Sequence, residues 1–259
     1  MSLRFIRPAA MLAALLPVLA AADPTARLET MQPDATEPVA RIAIIIDDLG
    51  YALGNGQRAV DLPGPVACAI LPGTPAATRL AGAAADRGKE VLLHLPMQAT
   101  QADGKDEPDS ITLDMSRRAF AETFDAALES VPHAIGVNNH RGSLLTRHPG
   151  HMQWLMEELS ARDELFFVDS YTTHLSVALQ IAAETGVPAI KRDVFLDPDR
   201  SAQTVEREFA RLKRLAHERG VAVAIGHPYD ATLDLLEREL PRLAAEGIEL
   251  VPISELTGR

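Results

Sequence analysis

The chain has 259 residues, 47% of them hydrophobic, and its 36 acidic and 25 basic residues give a formal net charge of −11 at pH 7. Such a charge repels phosphates, so the composition argues against nucleic acid and anionic membranes as partners and fits a neutral or partly cationic glycan better. The single cysteine, Cys68, lies in an apolar stretch and excludes an intrachain disulfide. We therefore expect a buried thiol and a fold that is stabilised by packing.

The first 22 residues have the pattern of a secretory signal peptide. Arg4 and Arg7 precede an apolar stretch that is too short for a stable membrane anchor, and the small residues Ala20 and Ala22 follow it. We expect cleavage near Ala22 and a periplasmic or secreted protein with no transmembrane domain after cleavage; an uncleaved N-terminal anchor is the alternative. Residues 23–40 are rich in Pro, Thr, Asp and Glu and predict a flexible linker, and residues 41–259 predict one domain.

Along residues 41–259, short apolar stretches alternate with longer amphipathic ones. We predict strands at 42–46, 66–71, 90–95, 135–137, 165–168, 189–190, 221–225 and 248–252. We predict helices at 74–87, 117–130, 151–161, 176–185, 202–219 and 232–246. Strands that alternate with helices form parallel sheets, so the expected fold is α/β, a distorted and incomplete (β/α) barrel of about seven parallel strands.

Side chains that can bind a metal stand directly after several of these strands. They are Asp47, Asp48, Asn139, His140, Asp169 and His227, with His94 at the end of its strand. The carboxyl ends of parallel strands meet at one edge, where α/β enzymes carry out their chemistry, so we expect these side chains to converge. The adjacent carboxylates of Asp47 and Asp48 favour a bound cation or a shared proton, and capping of the next helix is the alternative.

Six motifs are spread over residues 41–259. They are Ile46-Asp47-Asp48, the stretch 88–97 with His94-Leu95-Pro96-Met97, Asn138-Asn139-His140-Arg141-Gly142-Ser143, Val168-Asp169-Ser170, Arg192-Asp193-Val194-Phe195-Leu196-Asp197 and Gly226-His227-Pro228. With these motifs the chain resembles the polysaccharide deacetylase superfamily, and most closely its divergent branch found in exported bacterial proteins. The resemblance implies a polysaccharide deacetylase-like domain that hydrolyses N- or O-acetyl groups of a cell-envelope glycan in a metal-dependent reaction.

The resemblance also implies roles for particular residues. Asp47 matches the general base, Asp48 and His94 match metal ligands, and His227 is expected to protonate the leaving group. The second histidine of the usual pair is missing, because Gln98, a poorer zinc ligand than imidazole, stands four residues after His94. We expect His140 to complete the site, with Gln98 as the other candidate for the third ligand. The expected cofactor is a divalent metal, foremost zinc, although cobalt, nickel or manganese suits the same ligands.

Five further residues are candidates for binding the substrate, an acetylated glycan. They are Asn139, Arg141, Asp169, Arg192 and Asp193. Asp169 is expected either to orient His227 or to hold a sugar hydroxyl, and Asp193 with Arg192 to do either on the other wall. Several of the candidate site residues also have a structural interpretation. His94 can be a core histidine with satisfied hydrogen bonds, His140 a turn residue and His227 a loop-packing residue, and Asp169 and Asp193 can cap helices.

Two functions of different classes are compatible with these residues. The first is a metal-dependent carbohydrate deacetylase, which the presence of both Asp47 and His227 favours. The second is a catalytically degenerate deacetylase fold that binds a glycan or a protein without turnover, which the missing second histidine and the low aromatic content favour. The residues favour the enzyme, and they carry no signal of oligomeric state.

Overall fold

A computed structural model describes residues 40–100, 107, 109–162 and 165–258. The predicted signal peptide at 1–22 and residues 23–39 of the predicted linker lie outside these residues. Within the described part of the chain, no helix combines the length and the hydrophobicity that crossing a membrane requires.

Nine parallel strands of the described residues form one sheet. They are β1 (Ala40–Leu49), β2 (Ala67–Ile70), β3 (Val91–Met97), β4 (Ala134–Arg141), β5 (Phe166–Asp169), β6 (Ala189–Lys191), β7 (Val194–Phe195), β8 (Val221–Gly226) and β9 (Ile248–Leu250). The strand order is β6-β5-β4-β3-β2-β1-β8-β7, and β9 pairs with the start of β1. No pairing between described residues joins β6 to β7, so the barrel stays open at Arg192 and Asp193. The predicted incomplete barrel is confirmed, and β7 is a strand that the sequence analysis missed.

The described residues also form seven α-helices and three 3-10 helices, the last of which follows β9. The α-helices are α1 (Leu53–Asp61), α2 (Ala77–Asp86), α3 (Arg117–Ser130), α4 (Pro149–Ser160), α5 (Ala178–Thr185), α6 (Ala202–Arg219) and α7 (Asp230–Glu239). The 3-10 helices are Leu145–Arg147, Leu240–Glu246 and Ile253–Leu256. Both α3 and α6 have the predicted bounds, because the Ser116 and Ser201 side chains accept hydrogen bonds from the backbone of the first turn. The predicted helix 232–246 is wrong in its second half, where Pro241 lacks the N–H that an α-helix needs.

The alternation of side chains along the strands divides the buried residues into two clusters. The larger cluster includes Ile44 and Leu93 from the strands and Leu80 and Phe120 from the helices, so it fills the space between the sheet and the helix layer. The smaller cluster contains Ala43, Ile45, Ala67, Ala69, Leu92, Phe166, Val168, Val223, Ile225 and Ile253. We call the side of the sheet that carries this smaller cluster the inner face. The position of a residue in this alternation therefore decides whether it can reach the inside of the barrel.

The buried thiol predicted for Cys68 is confirmed. Cys68 lies in the larger cluster with no exposed surface and forms no disulfide. Burial raises the pKa of this thiol to about 12. The side chain therefore acts as a small apolar residue of the core.

Gly50 shapes the turn that follows the two aspartates. Its φ of +131° is a conformation that other residues rarely adopt, and a Cβ there would overlap Thr74 Oγ1. We expect Gly50→Ala to lower the free energy of unfolding by about 2 kcal/mol or more, measured by urea denaturation. The control is Gly54→Ala in α1, where a Cβ meets no atom within 4 Å and helix propensity predicts about 0.5–1 kcal/mol of stabilisation. Equal stability of the two variants would contradict the role of Gly50.

Candidate active site

Asp47 and Asp48 are neighbours in the chain, yet both carboxylates point at His94. Successive residues of a regular strand point to opposite faces. Asp48 breaks this rule with a φ of 57°, at an irregularity in the pairing of β1 with β2. As a result, Asp47 Oδ2 lies 3.6 Å and Asp48 Oδ1 3.2 Å from His94 Nε2. Aspartate adopts this left-handed conformation more readily than most residues, and backbone strain of this kind is common at functional sites.

The alternation of the strands brings the other polar groups to the same place. Three polar residues stand two positions after a residue of the smaller cluster: Asp47 after Ile45, His94 after Leu92 and His227 after Ile225. They therefore continue the inner face toward the carboxyl ends of β1, β3 and β8. On β4, Asn138 is paired in register with His94, and His140 lies two positions further along. Residues that are far apart in sequence thus form one cluster.

Three of these side chains direct one ligand atom each at a common point. Asp48 Oδ1 lies 2.9 Å from His140 Nδ1 and 3.2 Å from His94 Nε2, and the two nitrogens are 3.1 Å apart. Asp48 Oδ1 is buried and has no hydrogen bond of good geometry among the described residues. A buried oxygen without a donor is costly. A cation among the three atoms would satisfy it, and one carboxylate with two imidazoles is a donor set that suits zinc and leaves positions open for other ligands.

Hydrogen bonds on the outer side of each ring support this assignment. The Nδ2 of Asn138 donates to Asp47 Oδ1 at 2.8 Å, so its Oδ1 faces His94 and accepts from Nδ1 at 2.9 Å. The Nε2 of His140 lies 3.2 Å from Glu107 Oε1, which can accept a hydrogen bond from it. When both rings are neutral and their N–H groups point outward, the inner nitrogens present lone pairs to the cluster, which is the arrangement of metal-ligating histidines.

The charged groups of the cluster shift one another's pKa values. Burial opposes ionisation of Asp48, but the close imidazoles of His140 and His94 outweigh it and hold its pKa below the usual range. Burial also works against a charged His94, but the charge of Asp47 and the contact with Asp48 raise the pKa of His94 to about 9. Binding of a cation therefore has to displace a proton from His94.

Asp47 is buried beside the cluster, with 3% of its surface exposed. Burial raises the pKa of this carboxyl above its usual value, although the hydrogen bond from Asn138 and the nearby histidines favour the charged form. A carboxylate with a raised pKa accepts a proton more readily than an exposed one, as a general base requires.

His227 faces the cluster from β8. Its Nε2 lies 3.6 Å from Asp48 Oδ2, while its Nδ1 donates to Asp197 Oδ1 at 2.8 Å. The other oxygen of Asp197 accepts from the His227 backbone at 2.7 Å and from Thr232 Oγ1 at 2.7 Å, which holds the carboxylate in place. Burial alone would lower the pKa of His227, but the hydrogen bond to Asp197 and the charge of Asp47 raise it.

These groups border a cavity of about 380 Å³. It is lined by Asp47, His94, Asn139, His140, Arg141, Ser170, Tyr171, Thr172, Arg192, Phe195, Ile225 and His227. Arg192 is held in its wall by hydrogen bonds from Nε to Ser170 O at 2.7 Å and from Nη2 to Tyr171 O at 3.0 Å. Arg141, in a left-handed conformation at the end of β4, lies on the same border.

Two of the predicted substrate-binding residues, Asp169 and Asp193, are held by other contacts. Asp169 comes one position after Val168 of the inner face, so its side chain points away from that face, and Asp193 lies between β6 and β7. Asp169 does not orient His227, because its oxygens accept from Tyr171 N at 2.8 Å and Ser176 Oγ at 2.6 Å. Asp193 accepts from Val223 N at 2.9 Å, and its other oxygen lies 3.5 Å from Arg219.

Asn139 and Gln98 are engaged with the backbone. Asn139 borders the cavity, but its amide accepts from Ser170 N and donates to Arg141 O, both at 2.8 Å. The Oε1 of Gln98 accepts from Leu113 N at 3.0 Å. The structure therefore brings His140, and not Gln98, together with Asp48 and His94.

The sequence analysis missed three residues of this site. Asn138 accepts a hydrogen bond from His94. Its position two residues before His140 on a strand puts both side chains on the same face, which could have predicted its place in the site. Asp197 holds His227 and follows the apolar pair Phe195-Leu196, so the rule that identified the other strand-end residues applied to it as well. Glu107 carried no signal, because it lies in a polar stretch between β3 and α3.

The chain is similar to known proteins in sequence and in fold. A family model described as divergent polysaccharide deacetylase matches residues 44–257. The uncharacterized protein YibQ of Escherichia coli strain K12 is 37% identical over 216 residues, which cover 83% of this chain and 67% of YibQ. The crystal structure of uncharacterized protein ATU2773 from Agrobacterium tumefaciens C58 has a TM-score of 0.81 at 23% identity, over 86% of this chain and 92% of that chain. A BA3943 mutant, described as a CE4 family pseudoenzyme with restored enzymatic activity, has a TM-score of 0.51 at 14% identity, over 84% and 67% of the two chains.

Proposed function

Because the chain belongs to the divergent polysaccharide deacetylase family, we propose that it is an exported, metal-dependent hydrolase that removes N- or O-acetyl groups from a glycan of the cell envelope. The observation that carries the proposal is the cluster of Asp48, His94 and His140, whose ligand atoms lie within 4.8 Å of one another. Buried Asp47 lies on one side of it and the His227–Asp197 pair on the other. The signal-like pattern of residues 1–22 supports export to the periplasm or beyond.

Asp48, His94 and His140 would hold the cation, and zinc is the one that best suits one carboxylate and two imidazoles. A divalent cation in such a site supplies Lewis acidity, which lowers the pKa of water toward about 7 and polarises an acyl carbonyl. Asn138 orients the imidazole of His94 through its outer nitrogen. Burial of the cluster strengthens its electrostatic interactions.

Asp47 accepts a proton from the water that attacks the acetyl carbon. Its carboxylate is positioned for this by the hydrogen bond from Asn138 at 2.8 Å, which leaves Oδ2 facing His94 and the cluster. The raised pKa of Asp47 makes its carboxylate a stronger base than that of an exposed aspartate. Asp48, which would hold the cation, has the lower pKa of the two carboxyls because of the close imidazoles of His140 and His94.

His227 donates a proton to the departing amine or alkoxide of the sugar. Because Nδ1 is committed to Asp197, Nε2 is the atom that carries the transferred proton. Asp197 also favours the protonated imidazole that a general acid requires. The cavity border formed by Arg141, Arg192 and Tyr171 is the proposed contact surface for the sugar.

Metal content and acetate release of the purified protein test this proposal. After loading with Zn²⁺ and removal of excess ions, we expect about one ion per chain by elemental analysis and acetate release from N- or O-acetylated oligosaccharides. The metal-free protein, prepared with a chelator, serves as the control and should regain activity on reloading. A protein that binds no metal after reconstitution would overturn the metal dependence.

The second function, binding without turnover, has one supporting observation: Gln98 replaces the second histidine of the usual motif. Binding of acetylated oligosaccharides with no acetate release, by a protein that holds its metal, would favour this function.

A further inference from the structure

Ile111 lies against the end of β3. Gln98 N donates to Ile111 O and Ile111 N donates to Pro96 O, both at 2.9 Å, and Met97 is paired with Ile111 as an isolated bridge. Just before Ile111, Ser110 N donates to Glu107 O at 3.1 Å. These backbone hydrogen bonds bring Glu107 to the carboxyl end of β3, beside the neighbouring strand β4.

At this point Glu107 contacts the outer nitrogen of His140. Its Oε1 lies 3.2 Å from His140 Nε2, and His140 Nδ1 on the opposite side of the ring lies 2.9 Å from Asp48 Oδ1. The ring of His140 is thus held between two carboxylates. Only the inner one belongs to the cluster of ligand atoms.

The two imidazoles of the cluster differ in how firmly the surrounding protein holds them. His94 has 2% of its side chain exposed, and its Nδ1 donates a hydrogen bond to the buried amide oxygen of Asn138. His140 has 14% of its side chain exposed. A neutral imidazole carries one proton, and an acceptor at one nitrogen leaves the lone pair at the other. His140 has an acceptor on each side of its ring, Asp48 Oδ1 at 2.9 Å from Nδ1 and Glu107 Oε1 at 3.2 Å from Nε2. When Asp48 holds a cation, Glu107 is the acceptor that keeps the proton on Nε2 and leaves the lone pair of Nδ1 to the site.

We propose that Glu107 is a positioning residue that selects the tautomer and ring orientation of His140, and so makes a histidine from β4 a metal ligand in place of the one missing at position 98. This inference rests on the proposed metal-dependent function. Partners of this kind typically contribute 10- to 100-fold to the metal affinity of a site. Glu107 itself contacts neither the cation nor the substrate.

The test compares the Zn²⁺ affinities of Glu107→Ala, Glu107→Gln and the wild type, by competition with a chromophoric chelator. We expect Glu107→Ala to weaken Zn²⁺ binding by roughly 10- to 100-fold. Glu107→Gln should restore most of the affinity, because its amide oxygen accepts the same hydrogen bond. The visible absorption of the Co²⁺-loaded protein should change in Glu107→Ala and stay close to wild type in Glu107→Gln. The matched control is Glu122→Ala on the exposed side of α3, where the glutamate pairs with Arg118, and it should bind Zn²⁺ like the wild type.

The outcomes separate this inference from the proposed function. Wild-type affinity in Glu107→Ala, or a loss in Glu107→Gln as large as in Glu107→Ala, would overturn the positioning role while the metal site stands. A wild-type protein without affinity for Zn²⁺ would overturn both proposals. Metal binding that depends on Glu107 in a protein that releases no acetate would support the positioning role and contradict the deacetylase.

Discussion

Replacing His140 by alanine is expected to lower the affinity for Zn²⁺ by more than about 100-fold, beyond the range that loss of an outer hydrogen-bond partner costs. The reason is geometric: Nδ1 of His140 is one of three ligand atoms around a single point, 2.9 Å from Asp48 Oδ1 and 3.1 Å from His94 Nε2. A site reduced to one carboxylate and one imidazole offers too few ligands to hold zinc firmly. Isothermal titration with Zn²⁺, or competition with a chelator for the tighter wild type, measures the difference.

Gln98→Ala is the matched control, because Gln98 was the other candidate for the third ligand. Its Oε1 is engaged with Leu113 N, so the variant should keep Zn²⁺ far more tightly than His140→Ala. The unfolding midpoint of both variants without metal should be measured in parallel, so that a folding defect is recognised. Loss of affinity in Gln98→Ala alone would show that the cluster has been assigned to the wrong residue.

Asp47→Asn is expected to reduce kcat by roughly 10²- to 10⁴-fold while the protein still binds Zn²⁺. The substitution preserves the shape of the side chain and its ability to accept the hydrogen bond from Asn138, but it removes the group that accepts a proton. Asp48, the metal ligand, is untouched. Acetate release at saturating substrate, together with the Zn²⁺ affinity of the same preparation, measures both parts of the prediction.

Asp193→Asn provides the control for this second experiment. Asp193 also follows an apolar strand, but its carboxylate contacts Val223 N and Arg219, outside the cavity. The variant is expected to release acetate at the wild-type rate. Undiminished activity of Asp47→Asn would rule out Asp47 as the general base, and a comparable loss in Asp193→Asn would contradict the placement of Asp193 outside the site.

Much of the fold follows from local patterns. Apolar stretches predicted most of the strands, and the serines at positions 116 and 201 mark the starts of α3 and α6 as predicted. Local signals were weaker for α1, which contains Gly54 and Gly56, and for the two-residue strand β7. Those elements form because the sheet and the neighbouring helices pack against them, and packing overrides propensity.

The sequence by itself determined that Asp47, Asp48, His94, His140 and His227 would meet at one edge of a parallel sheet, because the carboxyl ends of parallel strands always share an edge. It did not determine which strand-end residues face inward, since that depends on the alternation of each strand and, at Asp48, on a left-handed residue that reverses it. It also did not reveal the pairs Glu107–His140 and Asp197–His227, whose members are 33 and 30 residues apart. Contacts of that separation depend on strand register and on the path of the connecting chain, and only the tertiary structure decides both.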